Sequence, residues 1–119
     1  MTIRRGQIYW LDFGQPRGSG PAFERPALII QDNFFNQTNL NTIIVAIVTT
    51  NLRLAEMDGN VLLMPRRNGV SIPSVVNITQ LYTVDKTELI EQIGVVTRSE
   101  MEQIDKGLRL VLSLENDEK

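Results

Sequence analysis

Apolar residues in this chain come in short runs separated by polar stretches rich in glycine, proline and asparagine, the mark of several short strands. Gln7–Phe13 (QIYWLDF) follows Gly6, alternates in part and predicts a strand. Ala27–Ile30 and Thr42–Thr49 (TIIVAIVT) are continuous and largely β-branched, as expected of strands buried on both faces. Between them, DNFFNQTNLN predicts one helical turn or a structured loop. NLRLAEMDGN predicts a loop with an Asp-Gly turn, VLLMP a strand and RRNGVSIP a turn. SVVNITQLYTV predicts a strand that bends near Gln80, and DKTELIEQIG a short helix closed by Gly94.

The last element has a different period. In TRSEMEQIDKGLRLVLSL, Met101, Ile104, Leu108, Val111 and Leu112 recur at helical spacing on one face. Thr97 with Glu100, or Ser99 with Glu102, offers a capping box at its start. Gly107, inside the pattern, costs about 1 kcal/mol of helix propensity against alanine. Short strands followed by a terminal helix predict a single domain over residues 1–119, α+β and mainly β, with a curled antiparallel sheet. No internal repeat, linker or low-complexity tract interrupts it.

Composition narrows the chemistry. At 119 residues and 42% hydrophobic, the chain can bury a core, and disorder is not expected. The longest apolar run, IIVAIV, is far short of a membrane span, and the opening MTIRRGQIYW has no apolar stretch of the secretory type, so a cytoplasmic protein is expected. Cysteine and histidine are both absent. Disulfides, thiolate nucleophiles, the commonest general base and the commonest metal ligand go with them. Asp12, Asp32 and Asp58 have no ligand-like spacing, so neither a metal nor another cofactor is expected.

Net charge is −2, but it is unevenly spread. Residues 1–67 carry seven arginines against five carboxylates, and residues 68–119 five cations against nine carboxylates. All three lysines lie in the second part. Arginine is the cation suited to bidentate phosphate recognition. Phosphate-binding glycine loops and nucleophile elbows are missing; the letters Asp-Phe-Gly at 12–14 lack any other kinase feature in a chain this short. What remains is Arg17, Ser19, Arg25, Thr49, Thr50 and Arg53. Arg25 precedes Pro26, which biases it toward extended backbone at the start of a buried strand. Thr49 ends the longest strand. If those strands are neighbours, a guanidinium and hydroxyls converge where a phosphate could sit; otherwise the threonines are ordinary strand ends.

The ordered set RRGQIYWLDF, RGSG, ERPALIIQDN, TIIVAIVTT, SVVNITQLYTVDK and EMEQIDKGLRLVL resembles the MazF/PemK family of toxin endoribonucleases, collinearly from about Arg5 to Leu114. The resemblance implies a small, SH3-like, partly open antiparallel β-barrel with a C-terminal α-helix, usually a homodimer. It implies metal-independent cleavage of single-stranded RNA at short specific sequences by the substrate's own 2′-hydroxyl, leaving a 2′,3′-cyclic phosphate and a 5′-hydroxyl. It implies a cognate antitoxin whose acidic tail occupies the RNA site. Such chemistry needs oriented phosphate, charge stabilisation and proton transfer, and no histidine, cysteine or metal.

Carried over, the family's catalytic arginine falls on Arg25, its strand-end threonine on Thr49 with Thr50 as neighbour, and its loop serine on Ser19. Arg25 would stabilise charge and could move a proton, a role to which a guanidinium is poorly suited because it holds its proton in proteins. Where the family often has Gly-Ser-Glu, this chain has Gly20 after Ser19; Glu24 is the nearest substitute base or else a surface residue. The family's QIRTVDK is QLYTVDK here, so Tyr82 either stacks on a base or packs. Arg17, Arg53 and Gln80 complete the expected RNA contacts. Arg66 and Arg67 form a solvated turn or touch the RNA backbone, and of Tyr9 and Trp10 one is core while the other lines a dimer or antitoxin groove.

Two rivals stand beside this reading. One is a gyrase poison of the same barrel; those relatives use a tail ending in Trp and Gly, and this sequence reads LENDEK there. The other is a barrel that binds RNA or protein without cutting, against which Arg25, Thr49 and Ser19 argue. The acidic helix is expected to lie away from any RNA groove.

Overall fold

The computed structural model describes residues 2–15, 18–19, 23–66 and 68–114. Six strands form one antiparallel sheet in the order β4-β5-β3-β2-β1-β6: β1 Gln7–Asp12, β2 Glu24–Ile29, β3 Thr42–Thr49, β4 Val61–Leu63, β5 Ser74–Asp85 and β6 Leu89–Val95. A single turn of helix, α1 (Asn33–Asn36), joins β2 to β3, and α2 (Arg98–Val111) follows β6. The two continuous apolar runs are central strands, and Ala27, Leu28, Ile29 and Ala46 are fully buried because both faces of the sheet carry a core.

Alternation divides those cores. On one face Ile8, Leu28, Ala46, Val48, Val76 and Ile78 meet Ile104 and Leu108 of α2, with Met101 and Val111 packed at the margin. Burial of each valine, leucine or isoleucine among them contributes about 1.5–3 kcal/mol. Leu112, expected on the same stripe, is exposed, since the helix ends at Val111 and the chain turns away. Thr97 supplies the N-cap, and its capping box with Glu100 is formed in both directions. On the other face Tyr9, Leu11, Ala27, Ile29, Ile43 and Val45 form the second core. There Phe13 reaches Tyr82 edge to face, with ring centroids 5.9 Å apart. Phe13 follows β1 and Tyr82 belongs to β5, with β2 and β3 between them, so the sheet curls over this face into a half-barrel, as the resemblance implies.

DKTELIEQIG is not a helix. Asp85 and Glu88 do form a capping box, but it closes only a 3₁₀ turn at Lys86–Glu88, after which β6 runs along β1 from Leu11↔Leu89 to Gln7↔Val95. Pairing satisfies the backbone of β1 on its outer side, which a helix would leave open. Gly94, expected as a helix cap, lies in β6 where a Cβ would strike the carbonyl of Asn68.

Candidate active site

The end of the sheet where β2 begins and β3 ends carries Glu24, Arg25, Thr49 and Thr50, with Arg53 just beyond. Glu24 and Arg25 belong to β2 itself and not to the preceding loop. The β2–β3 ladder pairs Ala27 with Ile47, and the same register carried two residues further sets Arg25 level with Thr49. On its other side Arg25 faces Leu11. Alternation puts Arg25 and Thr49 on the face of Ala27 and Ile29, opposite the face covered by α2. Arg25 is exposed, and among the described residues it takes part in no ion pair.

Thr49 is half-buried, and its hydroxyl oxygen accepts the Asn51 N–H at 3.2 Å. The hydroxyl hydrogen is left to point elsewhere, so Thr49 can donate to an oxyanion. Thr50 is exposed just beyond the strand, and Ser19 is exposed in a turn of the β1–β2 connection. That connection is closed at its base, where Phe13 N–H donates to the Phe23 carbonyl at 2.8 Å and Phe23 N–H to the Gly14 carbonyl at 2.6 Å. Arg17 and Arg67 lie outside the described residues.

Glu24 is exposed and pairs in register with Asp12, carboxylate across from carboxylate. Standing next to Arg25 in a strand, it leaves the sheet on the other face, so the structure does not bring the two side chains together. Tyr82 packs against Phe13 within the second core, on the same face as Arg25. Of the first-strand pair Tyr9 is core and Trp10 half-buried; burial pushes the Tyr9 phenol above its usual value. Arg66 is exposed.

Arg53 stands exposed on a 3₁₀ turn, Leu52–Glu56, immediately after β3. Gln80 stands where β5 departs from β3: Ile47 pairs with Asn77 and Ala46 with Leu81, leaving Ile78, Thr79 and Gln80 as an unpaired bulge, the bend that the sequence predicts. Asn60 ties these two segments, donating to the Leu54 carbonyl at 2.9 Å and accepting the Ile78 N–H at 2.9 Å.

Three residues here escaped the sequence reading. Asn60 and Asn77 look like loop and strand polar residues until their hydrogen bonds are seen. Phe23, 59% exposed beside the site, has φ of 56°, left-handed backbone that a bulky residue rarely adopts. An aromatic ahead of Glu24–Arg25 was the available signal.

The acidic helix keeps its carboxylates away from Arg25. Glu100 is engaged by Thr97 and Asn68, Asp105 by Arg5 at 2.7 Å, and α2 covers the opposite face. No group of three or more metal-ligating side chains assembles among the described residues. No helix among them is long and apolar enough to cross a membrane.

An exposed arginine and a strand-end threonine on one face of a curled sheet can hold a phosphodiester. Comparison with known proteins gives the family. Residues 4–112 match the family described as PemK-like, MazF-like toxin of type II toxin-antitoxin system. The chain belongs to that family. It is 46% identical over 114 residues to the endoribonuclease MazF6 of Mycobacterium tuberculosis (strain H37Rv), covering 96% of this chain and all of the relative. It is 31% identical to the endoribonuclease EndoA of Bacillus subtilis, over 96% of this chain and 97% of the relative. A mycobacterial endoribonuclease in complex with its cognate antitoxin superposes with a TM-score of 0.80 at 26% identity, covering 96% of this chain and 98% of the other. The MazF-like half-barrel with its terminal helix is therefore the fold of this chain.

Proposed function

We propose that this MazF-like endoribonuclease cuts single-stranded RNA at short specific sequences through the substrate's own 2′-hydroxyl, with no metal taking part. The observation that carries the reading is that Arg25 near the start of β2 and Thr49 at the end of the neighbouring β3 share the face of the sheet that α2 leaves uncovered. In the reaction a bond forms from O2′ to phosphorus and the bond from phosphorus to O5′ breaks, while one proton leaves O2′ and one arrives at O5′. No water is consumed, so the products are a 2′,3′-cyclic phosphate and a 5′-hydroxyl.

The protein's share is orientation and charge. Arg25 holds its guanidinium against the non-bridging oxygens, whose charge grows in the phosphorane. Thr49, its oxygen already taken by the Asn51 N–H, donates its hydrogen to the same phosphate. Ser19 reaches in from the loop. Glu24 projects to the other face, so we assign the proton transfers to solvent. Arg53, Gln80 and Tyr82 serve as further RNA contacts, and Arg17, outside the described residues, is assigned the same role.

The chain works as a homodimer and is held inactive by a cognate antitoxin whose acidic segment competes for Arg25; the superposable mycobacterial endoribonuclease in complex with its cognate antitoxin supports an antitoxin partner. Analysis of the product ends tests the reading. Fragments whose 5′ ends are phosphorylated by a kinase without prior dephosphorylation, and whose 3′ ends become reactive to periodate only after acid opening and phosphatase treatment, are expected. Fragments with 5′-phosphates and free 3′-hydroxyls would exclude attack by the 2′-oxygen.

A further inference from the structure

The bulge in β5 is held in one sense by a chain of hydrogen bonds. Asn77 is buried opposite Ile47, two residues along β3 from Thr49. Its Oδ1 accepts the Thr79 N–H at 3.3 Å and the Thr79 hydroxyl at 2.8 Å, and its Nδ2 donates to Gln80 Oε1 at 3.1 Å. The direction of these bonds follows from chemistry. A backbone N–H can only donate, so the Asn77 atom facing Thr79 is the oxygen and the atom facing Gln80 is the nitrogen. An amide nitrogen also only donates, so the Gln80 atom that meets it is the oxygen. The Gln80 Nε2 group, carrying two hydrogens, is thereby the one turned away from Asn77. Gln80 is half-buried, its Nε2 has no acceptor among the described residues, and no side-chain nitrogen there is buried without a partner, so this nitrogen is open to an outside acceptor.

Paired with Ile47, Asn77 lies on the face of Arg25 and Thr49, about 7 Å along the strand from the threonine. That is roughly the reach of one nucleotide. Resting on the ribonuclease reading, we infer that Gln80 is a specificity-determining residue that donates from Nε2 to a base carbonyl, uracil O4 or guanine O6, and that Asn77 is the positioning residue that keeps it a donor. At this position adenine and cytosine bring an amino group, and donor then meets donor.

Sequencing of cleavage ends from a randomised single-stranded RNA pool tests this. The parent should enrich uracil or guanine over adenine and cytosine about tenfold at one position beside the cut, the effect of one hydrogen bond made or opposed. Gln80→Glu keeps an oxygen for Asn77 and turns an oxygen toward the RNA, so preference at that position alone should swing to adenine or cytosine. Asn77→Asp leaves Gln80 in place but asks it for a donor, turning its amide over, and should produce the same swing. If Asn77→Asp loses its folded circular dichroism spectrum, Gln80→Glu decides. A cleaving parent whose base preferences are unchanged by Gln80→Glu, or whose Gln80-dependent position is adenine or cytosine, overturns the inference and leaves the ribonuclease reading intact. A folded parent that cuts nothing in the pool overturns both.

Discussion

Gly107 of α2 lies backbone to backbone against Gly59, so closely that a Cβ on Gly107 would run into the Gly59 carbonyl oxygen. Gly59 closes the loop that carries Arg53, at a φ of 95°. The contact pins that loop to the helix at the rim of the candidate site. Gly107→Ala should therefore destabilise the protein by about 1–3 kcal/mol by overpacking, although alanine is the better helix former by about 1 kcal/mol. Urea denaturation of the two proteins checks the sign; a more stable variant would mean that the contact is loose.

Tyr9 gives a pH prediction. Its phenol is buried, and burial raises its pKa above the ordinary 10.0, disfavouring the charged form. The folded state thus holds the proton more tightly than the unfolded chain. This stabilisation is fully present below pH 10 and is lost as pH rises through the folded-state value. Thermal melts between pH 8 and 11 should show a steeper alkaline loss in the parent than in Tyr9→Phe. Parallel curves would mean that the phenol is not what ionises.

Thr49→Val keeps shape and strand propensity while removing the hydroxyl. Cleavage should fall by about ten- to a hundredfold, with the melting temperature little changed, and Thr49→Ser should recover most of the rate. Equal losses in both variants would place the effect in packing and not in the hydrogen bond to phosphate.

Glu24→Gln separates two accounts of proton transfer. With Glu24 on the face away from Arg25, the rate should stay within about threefold of the parent's, since general-base loss typically costs about a hundredfold or more. A loss of that size would make Glu24 the base.

Much of this arrangement was legible in the sequence. The buried strands announced themselves as continuous β-branched runs, and the helix by its period and a capping box, although the choice of Thr97 over Ser99 as the cap came only from the structure. Arg25 stood out through Pro26, and Thr49 through its place at a strand end. Register was not legible: that Arg25 and Thr49 come level depends on how many residues α1 and its flanks consume between β2 and β3. The segment after Asp85 misled because a real capping box sits there, and a capping box does not report how long a helix continues. The edge of β1 decided its fate. Asn60 and Asn77 were invisible because residues that stitch a bulge have no periodicity. Gly107 was visible as a defect, and its reason lies in Gly59, 48 positions earlier.

The most direct test of the central claim compares the parent with Arg25→Ala on a long mixed-sequence transcript in EDTA. The account predicts discrete fragments from the parent and a loss of about a hundred- to a thousandfold in the variant, whose melting temperature stays close to the parent's. Equal cleavage by both proteins, or none by a folded parent, would contradict it.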